Sequence, residues 1–317
     1  MRTDSWRTAV VSACLAIPFT ALANQYEIVD LGATVTAGDL NDKGAVIGTR
    51  HQVPTRAVIW RHGRWHNLAG QSAMSAINDK GDLAGNQYKQ GQLMLWPRNQ
   101  EAVPIETPTG TPGQLVDVNN ARTVVGWFEK TFTTASCFMW TPGQGPVEMV
   151  WQGFGDCRPH AVNEAGQVAG TAGGDAFLFE NGRFTDLGLV FGSDSTEGLA
   201  LNRAGHVVGF ARFPRDDHAF KWNGTRLVDL NPEGYSSSHA NAINDHDKVV
   251  GDAYHVVDAR RYAVRFEAHG VVRLEDEVIN LDGWQLLEAR RINNEGVILG
   301  EGQFGGTVHS FLLVPTP

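Results

Sequence analysis

Arg158, Glu197 and His239 supply a cation, a carboxylate and an imidazole at intervals of 39 and 42 residues. Such a set could grip a polar ligand such as a sugar acid, or divide the roles of anion binder, acid and base in a lyase or hydrolase reaction. Glu288 continues the series 49 residues later, and His160 and Arg290 each lie two residues beyond a member of it. Four of these side chains stand five residues before an asparagine: Arg158 before Asn163, Glu197 before Asn202, His239 before Asn244 and Glu288 before Asn293. The spacing therefore belongs to a repeating element and not to a compact catalytic motif. The chain has no nucleophile-elbow serine, no paired-cysteine or His-Glu metal motif and no phosphate loop. His51, His239 and His255 fall on separate loops without ligand spacing, so neither a metal nor a cofactor is expected.

The repeat that positions these residues is anchored on an apolar residue and an asparagine. Three residues follow, usually ending in glycine, then an apolar pair and a closing glycine. It reads Leu40-Asn41 to Gly48, Ile77-Asn78 to Gly85, Val118-Asn119 to Gly126 and Val162-Asn163 to Gly170. It continues as Leu201-Asn202 to Gly209, Ile243-Asn244 to Gly251 and Ile292-Asn293 to Gly300. The asparagines are 37, 41, 44, 39, 42 and 49 residues apart, and the glycine comes seven residues after Asn in every copy.

Each copy holds four short apolar segments bounded by Gly, Asn and Pro, which read as strands. Four strands in about 42 residues is the signature of a propeller blade, so the sequence predicts an all-β, seven-bladed β-propeller. Paired apolar residues such as Val124-Val125 and Val249-Val250 face both sides of their strand, as a blade sandwiched between two others requires. The anchor Asn suits the first position of a type I turn, its side chain bonding the turn's own backbone. Arg122 and Asp247 occupy the slot that is usually glycine, so strain is expected there.

The seventh copy offers three strands, near 290–292, 297–299 and 310–313. The missing fourth is at the other terminus, where Ile28-Val29-Asp30-Leu31-Gly32 matches Phe184-Thr185-Asp186-Leu187-Gly188. The N-terminal strand is expected to complete the last blade and remove two exposed sheet edges. Residues 24–317 then form one domain.

Ahead of that domain, Arg2 and Arg7, an apolar run from Ala9 to Phe19 and the small residues Ala21 and Ala23 have the layout of a signal peptide cleaved after Ala23. The cleaved chain would carry 24 basic and 34 acidic residues, a net charge of −10. An acidic surface with no basic stripe argues against nucleic acid as a partner. No later segment has the length of a membrane span. The expected location is the periplasm or the medium, and the expected state is a monomer. Cys137 and Cys157 remain after cleavage, and an oxidising compartment predicts a disulfide between them.

The fifth copy carries His218-Ala219-Phe220-Lys221-Trp222, then Asn223-Gly224 and Leu227-Val228-Asp229-Leu230, with Ala242-Ile243-Asn244-Asp245 beyond. This resembles the bacterial extracellular repeat family named for its His-Ala-Phe triplet. The resemblance covers essentially all of 24–317, with looser triplets at Asp175-Ala176-Phe177, His309-Ser310-Phe311, Tyr262-Ala263-Val264 and Cys137-Phe138-Met139. It implies an exported repeat protein and supplies no catalytic residues.

In a propeller the tight turns share one face and the longer, variable connections share the other, where function usually lies. Arg158, His160, Glu197, His239, Glu288 and Arg290 map to the funnel mouth on the variable face. Trp127, Trp151 and Trp284 fall outside the regular core aromatics (Trp60, Trp96, Trp140, Phe179, Trp222 and Phe266), so they are candidates to stack on a sugar or a partner. His218 and His309 are expected to brace the third strand. Asn223-Gly224-Thr225 matches a glycosylation acceptor but reads as a hairpin turn. The expected role is a non-catalytic binding module for a glycan, a small polar ligand or an envelope protein. The alternative is a propeller enzyme using Arg158, Glu197 and His239.

Overall fold

The computed structural model describes residues 25–51, 55–68, 73–87, 91–153, 155–268 and 270–316. The signal-peptide reading, with Cys14 inside it, lies outside the described residues. Seven sheets form seven blades, six of them antiparallel and running in chain order from inner to outer strand. Blade 4, for example, runs Cys157–Val162, Val168–Ala172, Asp175–Glu180 and Arg183–Asp186.

Blade 7 closes the ring as the repeat arithmetic requires. Its inner three strands are Gln285–Ile292, Ile298–Phe304 and Thr307–Pro315, and its fourth is the N-terminal strand Tyr26–Gly32. The register pairs Tyr26 with Pro315, Ile28 with Leu313 and Asp30 with Phe311. The connection before blade 7 adds a short fifth strand, Val278–Ile279, parallel to Tyr26–Gly32, so this blade alone has five strands.

Both faces of every middle strand are covered. Val124, Val125, Val207, Val208 and Val250 are fully buried, and apolar clusters lie between neighbouring blades. The closing glycine has a steric reason. A Cβ at any of the seven positions would stand 1.8–2.7 Å from the carbonyl oxygen of the inner-strand residue opposite, for example 1.8 Å from that of Glu197 at Gly209. The inner strand carries a bulge beside each of these glycines, as between Gly198 and Ala200, and it presses its backbone onto the second strand.

The anchor asparagines do two jobs. Each Oδ1 accepts amide protons of its own turn; Asn119 takes those of Ala121 at 3.0 Å and Thr123 at 2.9 Å. Each Nδ2 donates to the backbone carbonyl of the next blade's anchor, from Asn41 to Asn78 at 2.9 Å and so on through Asn119, Asn163, Asn202 and Asn244 to Asn293. Asn293 then donates to Asn41 at 3.1 Å, which makes a closed circuit of seven bonds around the axis. All seven asparagines are buried.

The two non-glycine turn residues are left-handed, Arg122 at φ 64° and Asp247 at φ 66°. Each joins two blades. Arg122 reaches the fully buried Asp82 of blade 2 at 2.9 Å, and Asp247 meets His206 at 2.9 Å and Lys221, both of blade 5. The Cys137–Cys157 disulfide is present, with Cα atoms 5.2 Å apart, and clips the third strand of blade 3 to the inner strand of blade 4. Among the described residues no helix is long and apolar enough to cross a membrane.

Candidate functional site

The inner strands line a central channel, and two levels of it carry chemistry. At the mouth on the variable-loop face, each residue five before the anchor pairs across the sheet with the residue after the closing glycine. Gln114 faces Trp127, Arg158 faces Thr171, Glu197 faces Phe210, His239 faces Asp252 and Glu288 faces Glu301. The mouth is therefore a double ring, contributed half by the inner strands and half by the second strands.

Every charged member of that ring has a local partner. Arg158 lies 3.8 Å over the Trp127 ring, joining blades 4 and 3, and touches Asp156 at 3.3 Å. Glu197 accepts from Arg212 at 2.5 Å. His239 sits between Asp252 and Asp217, with one ring nitrogen 3.2 Å from each. Burial alone would lower the His239 pKa, but these two carboxylates reverse that and hold it above the ordinary value. Arg290 makes a bidentate pair with Glu301 at 2.7 and 2.9 Å and meets Glu288 at 3.2 Å.

This geometry bears on what the mouth can do. A general base needs a free lone pair aimed at a substrate proton, whereas both nitrogens of His239 already face carboxylates. Arg158, Glu197 and His239 stand in three different blades and make no hydrogen bond with one another. The arrangement is a rim of fixed, mutually neutralised charges, with one planar cation stacked on an aromatic ring.

The remaining candidates are placed differently. Trp151 is half-buried with its ring edge-on to Phe184, and Trp284 is buried and stacked on Phe304, whereas Trp127 carries the Arg158 guanidinium on its ring. His51 is bound to Thr36 and His255 to Asp258. His218 and His309 each pair with an aspartate of the fourth strand, Asp229 at 3.0 Å and Asp30 at 2.9 Å, which ties the third strand to the fourth. In blade 4 the same position is Asp175. Burial and the facing Asp186 push its carboxyl above the ordinary range. Asn223 closes its turn through bonds to Thr225 and Arg226.

Toward the tight-turn face the channel holds a cavity of about 230 Å³. Its wall carries residues that the sequence pattern did not single out, Asp39, Asp117 and Arg291, each two before its anchor Asn; His160, expected at the mouth, also lines it. The signal was present as a departure from pattern, because that position is Ala76, Ala161, Ala200 and Ala242 in the other four blades. Asp39 accepts the Ile77 amide at 2.9 Å and Asp117 the Val162 amide at 2.8 Å, so each carboxylate also ties its blade to the next. Burial and then the nearby Asp39 raise the Asp117 pKa to about 6, against the pull of its two amide bonds. Burial lowers that of His160; Glu197 opposes this, while Arg291 and Arg158 add to it.

No family model matches the chain, and no curated protein matches it in sequence. Similarity appears among solved structures. A puromycin-hydrolysing peptidase of Mycobacterium tuberculosis superposes with a TM-score of 0.62 at 14% identity, over 90% of this chain and 51% of the peptidase, so the chain spans about half of that protein. The β-propeller domain of the Pyrococcus furiosus Trilobed protease gives 0.58 at 6% identity, over 92% and 94% of the two chains; that domain is described as having an open Velcro topology. YCF48 bound to D1 peptide gives 0.57 at 12% identity, over 93% and 98%. What these proteins share with this chain is the β-propeller fold.

Proposed function

We propose that this chain is an exported, non-catalytic β-propeller of the His-Ala-Phe repeat kind that binds an envelope protein partner on its variable-loop face. One observation carries the reading: large apolar side chains stand in water around a charged mouth. Phe132 and Phe191 are fully exposed and Val257 is 83% exposed, and all three lie on loops or links of that face. Val150 and Leu189 add to the same side between blades 3 and 5. Large apolar side chains left exposed on one face mark a protein interaction surface. Arg158 stacked on Trp127 supplies an Arg and aromatic pair of the kind that anchors such interfaces. One propeller of like fold, YCF48, is itself held with a peptide.

Export is supported by the Cys137–Cys157 disulfide, which fits an extracellular or periplasmic location, and by the signal-peptide layout of residues 1–23. A glycan or a small polar ligand at the mouth is the competing occupant.

A photo-crosslinking side chain placed at Phe132 or Phe191 in the native host tests the reading. A discrete protein adduct, mapped by mass spectrometry, is expected from both positions and not from Thr225 on the opposite face. The adduct should disappear when Arg158 and Trp127 are both changed to Ala. Equal labelling from both faces, or none from either, would sink the proposal.

A further inference from the structure

The cavity holds two inward carboxylates and, beside them, a run of backbone donors. Asp39 of blade 1 and Asp117 of blade 3 reach across to the amides of blades 2 and 4. Asp42, Asp79, Glu164 and Asp245 also line it, each already accepting a backbone amide of a neighbouring turn. The Asp39 and Asp117 bonds also fix a direction, because they show that the amide just before each anchor Asn points at the channel. The ladder agrees. The anchor amide bonds the second strand, as in Asn41 to the Ala45 carbonyl, so the preceding amide faces the other way.

In blades 2 and 4 that inward amide is taken by the preceding blade's aspartate, and in blade 3 Val118 is taken by Asp117 of its own blade. Blades 5, 6, 7 and 1 differ. Ala161, Ala200, Ala242 and Arg291 stand where an aspartate would be needed. The amides of Leu201, Ile243, Ile292 and Leu40 therefore face the cavity with no side-chain acceptor among the described residues. They form a crescent of four donors over consecutive blades. Arg291 stands at its end; its Nε donates to Asp39 at 3.2 Å and its Nη1 to the Arg290 carbonyl at 2.9 Å, and its side chain is 45% exposed. His160 also lines the cavity and meets no hydrogen-bond partner among the described residues.

Backbone amides converging on a concavity, with a guanidinium beside them, are an anion site. The buried Asp117 and, beside it in the same cavity, Asp39 attract a cation. We infer that the channel cavity is a binding site for a small zwitterion of the amino-acid class, its carboxylate on the crescent and Arg291 and its ammonium at Asp117 and Asp39. The cavity volume, about 230 Å³, sits below the ~300–1,000 Å³ of pockets for drug-sized ligands and suits an occupant of amino-acid size. The mutual repulsion of Asp39 and Asp117 is relieved when an ammonium lies between them, so the occupied site is electrostatically better than the empty one.

This inference is independent of the partner surface proposed above, and the test keeps the two apart. Each protein amino acid is titrated at millimolar concentration into the full chain by calorimetry, alongside ethylammonium and propionate as half-ligands. At least one amino acid is expected to bind with 1:1 stoichiometry, and each half-ligand about tenfold or more weaker. D117N should weaken the amino acid about tenfold or more, and R291Q should do so through the other end. R183A, on the exposed outer strand of blade 4, should leave the affinity within about twofold. Circular dichroism confirms folding, and saturation-transfer NMR on the unmutated chain gives a readout that needs no variant. Absence of binding by every amino acid, a half-ligand that binds as well as the whole, or full affinity in both D117N and R291Q would each overturn the assignment.

Discussion

Changing a single anchor asparagine separates its two structural jobs, and Asn119 is the best placed for the experiment. Asn119→Ala removes two bonds within the turn, at 3.0 and 2.9 Å, and one to the blade 4 carbonyl of Asn163 at 3.0 Å. Each net hydrogen bond contributes about 0.5–1.5 kcal/mol, and a buried group left without a partner costs about 1–3 kcal/mol. The Thr123 amide and the Asn163 carbonyl lie on buried residues, while the Ala121 amide can be rehydrated. The expected loss is about 2–4 kcal/mol, read as a shift in the urea midpoint with an unchanged slope. Asn119→Asp keeps both turn acceptances but sets a carboxylate oxygen where the amide donated. At neutral pH it should be at least as destabilising as the alanine variant. As pH falls through the new carboxyl's raised pKa, the protonated oxygen donates to Asn163 and stability returns. The sign follows from linkage: a carboxyl raised in the folded state contributes stability below its unfolded pKa of about 4 and loses it as pH rises through the folded value. If Asn119→Ala costs under about 1 kcal/mol, or Asn119→Asp shows no recovery in acid, the circuit does not hold the blades together.

The left-handed turns give a contrast. Arg122→Gly should destabilise by about 1–3 kcal/mol in urea melts, because the relief of strain is outweighed by leaving the buried Asp82 without its cation. Asp247→Gly should fall within about 1 kcal/mol of wild type, since its ion pairs are partly exposed. Asp175→His should be stabilising by about 0.5–1 kcal/mol in thermal melts, because it replaces the repulsion from Asp186 with the His–Asp pair seen in blades 5 and 7. Asp117, raised to about 6, should contribute stability fully present below about pH 4 and lost as pH rises through about 6. Wild type minus D117N should accordingly decline by about 2–3 kcal/mol between pH 4 and 7, and a flat difference would remove that carboxyl from the account. Gly209→Ala should fail to give a stable fold at 37 °C, as monitored by far-UV circular dichroism, because its Cβ would stand 1.8 Å from the Glu197 carbonyl.

Much of the architecture was readable because it repeats. Seven anchors at near-constant spacing imply seven blades, and a last copy short of one strand implies closure by Ile28–Gly32. Cys137 and Cys157 could be paired because the repeat placed them on one face of neighbouring blades. The short strand Val278–Ile279 left no pattern, since two residues in a variable link carry no periodicity. The outward bond of each anchor was hidden for another reason: the same Asn has a sufficient local explanation in its own turn, and its partner lies 37–49 residues away. At the mouth, the identities of Arg158, Glu197 and His239 were legible, but their neutralisation was not, because Trp127, Asp252 and Arg212 come from second strands. Asp39, Asp117 and Arg291 were visible only as departures from alanine.

The anchor amides all point the same way round, each toward the following blade, so their dipoles chase one another and cancel. A hoop of this kind has no start. The join between Tyr26–Gly32 and Thr307–Pro315 lies inside blade 7 and interrupts none of the seven seams between blades, and opening the chain at another variable-face link while splicing the present ends would leave every amide with its acceptor. The seam between blades 3 and 4 differs from the other six, because there a covalent clasp already spans the gap.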